Sequence, residues 1–144
     1  MLNEVTEMIR PWRYRIGLLV PPTNIVMEKE FNVLIPECVS VHAARLYRKS
    51  SSVTESSLKE MIESIPAVAF SLSMTQPDVV VFGCTSGSLI YGVGWDEELA
   101  RSIETKTRVD TFTTSCAVLH SLRALNVKRI ALVTPYVEAI NDLA

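Results

Sequence analysis

Three observations predict an α/β fold built on a doubly wound parallel sheet. Short runs rich in Val, Ile and Leu recur along the chain, several of them ended by Pro or Gly. Stretches with apolar residues at helical spacing lie between these runs. The chain has 144 residues, enough for one domain with a core that needs neither disulfides nor a metal.

The elements follow in order. Tyr14–Val20, stopped by Pro21-Pro22, reads as a buried first strand. Ser40–Tyr47 is a weaker second strand. Asp78–Gly83 is the clearest, because consecutive valines suit a parallel strand covered on both faces. Arg108–Phe112 is a weak fourth, and Lys128–Thr134, ended by Pro135, is a strong fifth. From Thr54 to Thr75 a helix is expected, with Leu58, Met61, Ile62 and Ile65 on one face. Thr54 caps it or Ser57 opens a capping box with Glu60, and Pro66 should kink or split it. Asp96–Glu104 is a short helix with acids in its first turn, where the dipole favours them. Ser115–Leu125 puts Val118, Leu119, Leu122 and Leu125 on one stripe, with Asn126 as a left-handed stop. Such alternation connects right-handedly into βαβ units, and the expected product is a flavodoxin-like lobe. Residues 1–12 read as an extension before it, and no internal repeat or low-complexity segment is expected.

Composition excludes several function classes. A 48% hydrophobic and 21% charged chain is an ordinary folded protein rather than a disordered one. A net charge of −2 argues against nucleic acid and anionic membrane surfaces, which require clustered Lys and Arg. No apolar run approaches the ~18 residues of a membrane span. Three cysteines, Cys38, Cys84 and Cys116, lie far apart without a C-x-x-C pair, and His42 and His120 offer no metal-like spacing. A disulfide framework and a zinc site are therefore not expected. The acidic N-terminus lacks the basic and apolar regions of a signal peptide, so a cytoplasmic location is expected.

Ligands of such sheets bind beyond the carboxyl ends of the strands. Three loops there are chemically distinctive: Pro21-Pro-Thr-Asn24, Gly83-Cys-Thr-Ser-Gly-Ser88 and Thr134-Pro-Tyr136. Cys84 stands where a side chain emerges from the core, and Thr85, Ser86, Gly87 and Ser88 supply hydroxyls and N–H groups at the approach to a helix. That composition suits a carboxylate or a developing oxyanion, and a positive setting of this kind should lower the thiol pKa. The P-loop, the dinucleotide fingerprint and the serine elbow are all absent, so ATP, NAD and serine-hydrolase chemistry are not supported. Without further context Cys84 is equally a small buried apolar residue, Asn24 a turn former and Tyr136 an ordinary half-buried tyrosine. Cys116 is expected in the core, Cys38 has no expected role, and Thr113 and Thr114 either line the crevice or cap the next helix.

Arg15–Asn24 with Met27-Glu28, Val81–Ser88, and Thr113–Tyr136 with Asn141 occur in that order. Taken together they resemble the maleate cis-trans isomerase and arylmalonate decarboxylase family of the aspartate/glutamate racemase superfamily, over residues 13–144. The resemblance implies a cofactor-independent site between two similar lobes, each contributing a cysteine. It implies that Cys84 is the first-lobe cysteine, the nucleophile in the isomerases. Thr85, Ser86 and Tyr136 then match the hydroxyl donors to a substrate carboxylate, and Asn24 matches a loop amide that binds one. Decarboxylases of the family carry glycine at the Cys84 position, which places this chain with the isomerase or racemase branch, although Pro21-Pro22 is shared with the decarboxylases.

The expected function is a cofactor-independent isomerase, of the maleate-to-fumarate type, or a racemase, acting on a small carboxylic acid. Decarboxylation of a malonate-type acid is the alternative, as is a non-catalytic carboxylate-binding lobe. No cofactor, nucleic acid or membrane partner is expected, while a homo-oligomer is admitted. On this reading residues 13–144 are a first lobe cut short of a second, the second reactive group lies beyond residue 144, and an apolar patch stays exposed on one flank.

Overall fold

The computed structural model describes residues 13–143, so the expected extension over residues 1–12 lies outside the described residues. Four strands form one wholly parallel sheet: β1 (Tyr14–Val20), β2 (Val39–Arg45), β3 (Val79–Phe82) and β4 (Thr111–Thr113), in the order β2-β1-β3-β4. The helices are α1 (Val26–Leu34), α2 (Glu55–Glu63), α3 (Ile65–Ser73), α4 (Thr85–Leu89), α5 (Trp95–Thr107), α6 (Thr114–Ala124) and α7 (Glu138–Asn141). The doubly wound α/β expectation holds. Chain order reverses at β1, which pairs with β2 on one side and β3 on the other, so the crevice that receives ligands lies above these carboxyl ends.

Alternation along β1 divides its apolar residues between two faces. Leu19 joins the main core with Val80 and Phe82 of β3, beneath Leu58, Met61, Ile65, Ala69 and Leu72 of α2 and α3 and Leu99 and Ile103 of α5. Each such buried side chain contributes roughly 2 kcal/mol relative to exposure. The expected long helix is split at Ser64, with Pro66 in the first turn of α3, where its missing N–H costs nothing. Thr54 is the cap: its hydroxyl accepts from the Ser57 N–H at 3.2 Å, and the Thr54 N–H donates to the Ser57 hydroxyl at 2.9 Å. The reciprocal partner is thus Ser57 rather than Glu60. Asn126 takes the left-handed conformation that ends α6, as its sequence position indicates.

Two expectations fail together. Lys128–Thr134 joins no sheet among the described residues, and Ile130, Leu132 and Val133 are exposed. A strand needs a partner edge as well as apolar composition, and β4 offers only three residues of edge. The stretch also repeats β1, since Arg15-Ile-Gly-Leu-Leu-Val-Pro21 is matched by Arg129-Ile-Ala-Leu-Val-Thr-Pro135, contrary to the expected absence of repeats. The stripe on α6 is likewise uncovered: Val118, Leu119 and Leu125 are exposed, and Ser115 is the buried residue of that helix. Cys116 is half-buried, its sulfur about 4 Å from the His120 ring, and is not part of the core. With Ile130 and Leu132 the α6 stripe lines an apolar groove of about 400 Å³, the exposed patch expected on this flank.

Candidate active site around Cys84

Cys84 follows β3 after the single residue Gly83 and caps α4. Its Sγ accepts the Gly87 N–H at 3.3 Å and lies 3.6 Å from the Ser86 hydroxyl, and the residue is only 8% exposed. Small residues are required on both sides. A Cβ on Gly83 would run into the Met27 sulfur, and one on Gly87 would stand 3.0 Å from Met61 and 3.2 Å from Cys84 Sγ. Burial pushes the thiol above its ordinary range, and the Ser86 hydroxyl, the Gly87 N–H and the Arg48 charge only partly counter it. The expectation of a lowered thiol pKa is therefore corrected: the stabilising groups are present, but desolvation outweighs them.

The cleft above Cys84 has a volume of about 420 Å³. Asn24, Cys84, Thr85, Ser86 and Tyr136 all line it, so the five residues given roles by the resemblance reach one site, while Gly87 and Ser88 do not line it. Asn24 does two structural jobs there. Its Oδ1 accepts the Val26 and Met27 N–H groups at 3.1 Å, which starts α1, and its Nδ2 donates to the Gly83 carbonyl at 3.4 Å. The side chain therefore locks loop one onto the residue preceding Cys84. Tyr136 is placed by a turn in which its N–H donates to the Thr134 hydroxyl at 3.2 Å, while Asn141 bonds to Thr134 and donates to the Tyr136 carbonyl.

Supporting bonds fix the strand-three loop. The Ser88 hydroxyl donates to the Thr85 carbonyl at 2.9 Å and meets the Ser115 hydroxyl of α6 at 2.6 Å in the interior. The Trp95 indole N–H donates to the Gly87 carbonyl at 3.0 Å, and Tyr91 stacks edge-on against Trp95 with centroids 4.6 Å apart.

Several cleft residues escaped the sequence reading. Met27, Glu30 and Phe31 arrive from α1, a helix not expected, although Met27 lies within the motif-bearing stretch. Thr114, by contrast, is expected either at the crevice or as a helix cap; it lines the cleft with a buried hydroxyl that has no partner, while Thr113 is the cap. Arg48 is buried behind loop one, and nothing in its local sequence announced this. Cys38 is exposed before β2, and neither it nor Cys116 lines the cleft. Among the described residues no three His, Cys, Asp or Glu side chains converge as a metal site, and no helix is long and apolar enough to cross a membrane.

Comparison with known proteins agrees with this geometry. The family model described as arylmalonate decarboxylase matches residues 16–144. Maleate isomerase of Geobacillus stearothermophilus is 26% identical over 142 residues, covering 90% of this chain and 56% of its own. Arylmalonate decarboxylase of Bordetella bronchiseptica is 31% identical over 127 residues, covering 88% and 52%. Among solved structures, a variant of the maleate isomerase Iso from Pseudomonas putida S16, crystallised with maleate, superposes with a TM-score of 0.81 at 28% identity, over 90% of this chain and 56% of that one. The chain spans about half the length of the curated relatives it matches.

Proposed function

The chain belongs to the arylmalonate decarboxylase family, and from that premise we propose that it carries the nucleophilic half of a cofactor-independent isomerase acting on a small carboxylic acid, of the maleate-to-fumarate type. One observation carries the reading: the Cys84 thiol sits in a cleft whose lining includes four hydroxyl residues, Thr85, Ser86, Thr114 and Tyr136. Four maleate isomerases among the relatives support it.

The chemistry follows from those groups. The thiolate adds to one alkene carbon, forming a C–S bond, while the π electrons move to the neighbouring carbon and onto its carboxylate. The former double bond then turns. Elimination restores the π bond in the trans geometry and releases the thiolate. Charge accumulates on carboxylate oxygens in both steps, where the hydroxyls of Thr85, Ser86 and Tyr136 act as donors. Burial of Cys84 suits this sequence, because a desolvated thiolate is a strong nucleophile once formed.

Racemisation would use the same thiol with a second base across the α-carbon; Cys38 and Cys116 both lie away from the cleft, so that base would have to come from a second lobe. Decarboxylation of a malonate-type acid is the second reading, favoured by the decarboxylase relative at 31% identity. The proposal extends to architecture: residues 13–144 are a first lobe, and a second, similar lobe closes the cleft and brings the second reactive group. Three unpaired cysteines support the proposal of a reducing, cytoplasmic setting.

The test is to incubate the whole protein with maleate and follow fumarate by proton NMR, with phenylmalonate and the aspartate enantiomers as separate arms. Fumarate should form, and Cys84→Ala should abolish it with the fold retained. Near-wild-type turnover in that variant overturns the nucleophile assignment, and release of carbon dioxide from phenylmalonate alone establishes the decarboxylase.

A further inference from the structure

Arg48 follows β2 and is the one charged side chain that is buried among the described residues, at 8% exposure. Its Nη2 donates to the Thr23 hydroxyl at 3.2 Å and to the Ser51 carbonyl at 3.1 Å, while its Nε is buried without a partner. No carboxylate pairs with it among the described residues. The cations on either side are engaged, Arg45 with Glu28 and Lys49 with Glu60. A buried guanidinium that lacks a counter-ion costs several kcal/mol, so an unbalanced one points to an anion nearby. The loop it holds is the loop of the site: Thr23 precedes Asn24, whose amide bonds to Gly83, the neighbour of Cys84.

We propose that Arg48 is the buried counter-cation of the Cys84 thiolate, a positioning residue that makes the nucleophile available without touching substrate. The proposal rests on the reading of Cys84 as nucleophile. Once the thiol loses its proton, the Gly87 N–H and the Ser86 hydroxyl hold the sulfur directly, and the guanidinium balances the charge through the low-dielectric interior. The Arg48 charge already acts on the thiol in this direction.

The other ionisable groups around the site do not replace it. α1 brings Glu30, an acid, into the cleft, and its Glu28 is held by Arg45. On α2, Lys59 pairs with Glu55. α5 opens with Asp96, Glu97 and Glu98, of which Glu97 faces Arg101. The ring of His120 on α6 lies against Cys116, and Tyr136 is the remaining titratable group of the lining.

The experiment measures thiol chemistry alone. Alkylation of Cys84 by iodoacetamide is followed across pH by peptide mass spectrometry in wild type, Arg48→Met and Arg48→Lys, each checked by circular dichroism. Arg48→Met should move the midpoint upward by about one pH unit, a tenfold loss of thiolate at fixed pH, and Arg48→Lys should restore most of it. A folded Arg48→Met with the wild-type midpoint overturns the proposal, as does a lysine variant shifted equally far. Should Arg48→Met not fold, Thr23→Val takes its place by releasing the guanidinium; an upward shift supports the proposal and an unmoved midpoint overturns it. No turnover enters the measurement, so the isomerase reading and this one fail independently.

Discussion

The backbone N–H of Gly87 points at the sulfur of Cys84, 3.3 Å away, so the nucleophile candidate caps the helix that its own loop begins. The bond ties the thiol's position to a single residue without a side chain. Alanine at 87 is favourable for a helix by up to about 1 kcal/mol, yet its Cβ would stand 3.2 Å from the sulfur and 3.0 Å from Met61. Gly87→Ala should therefore melt within a few degrees of wild type while losing at least about tenfold in Cys84 alkylation rate. Thermal melts and timed labelling check both halves of this expectation.

Burial raises the Cys84 thiol pKa, and the sign of its effect on stability follows. The folded thiol keeps its proton to a higher pH than the unfolded one, so unfolding releases a proton once the pH passes the ordinary thiol range. The contribution is fully present below that range and is lost as pH rises through it toward the folded value. Urea midpoints between pH 7 and pH 10 should fall more steeply in wild type than in Cys84→Ala. Identical slopes would contradict the buried-thiol description. At neutral pH, exposed Cys38 should be alkylated well before Cys84.

Gly83 has no room for a side chain because Met27 fills the space, and its N–H donates to the Leu19 carbonyl at 2.7 Å. Gly83→Ala should cost about 1–3 kcal/mol by overpacking. Shortening the neighbour relieves the crowding, so Gly83→Ala with Met27→Ala should recover part of that loss in a double-mutant cycle by denaturant unfolding. A cycle with additive costs would place the strain elsewhere.

The groove between α6 and Ile130–Leu132 exposes enough apolar surface to bind a hydrophobic dye. Leu132→Glu, at a position 59% exposed, should reduce anilinonaphthalene sulfonate fluorescence severalfold and change stability by less than about 0.5 kcal/mol. Unchanged dye binding would mean that the groove is not the adsorbing surface.

Much of this was legible because fold and site are written in local patterns. Val79–Phe82 is apolar throughout and Tyr14–Val20 from Ile16 onward, so their place at the sheet centre is stated by composition. The Cys84 loop is also local, since the residues that surround the sulfur follow it within three positions. Lys128–Thr134 shows the limit: it is as apolar as β1, but pairing depends on an edge that composition does not describe. Amphipathic α6 misleads in the same way, because its stripe states only what it would bury if something faced it. Arg48 was invisible for a different reason. Its importance comes from being enclosed by segments distant in sequence, and an arginine after Tyr47 carries no local mark of burial.

Trp95 gives the site an optical readout. Its indole N–H is bonded to the carbonyl of Gly87, the same residue whose N–H holds the Cys84 sulfur. Any shift of the Gly87 backbone, on ligand entry or when the sulfur loses its proton, moves the carbonyl to which the ring is bonded. The chain contains two tryptophans, Trp12 and Trp95, so Trp12→Phe leaves a single emitter wired to the thiol. Its emission wavelength should report ligand entry and thiolate formation in real time, with no added label and no need for turnover.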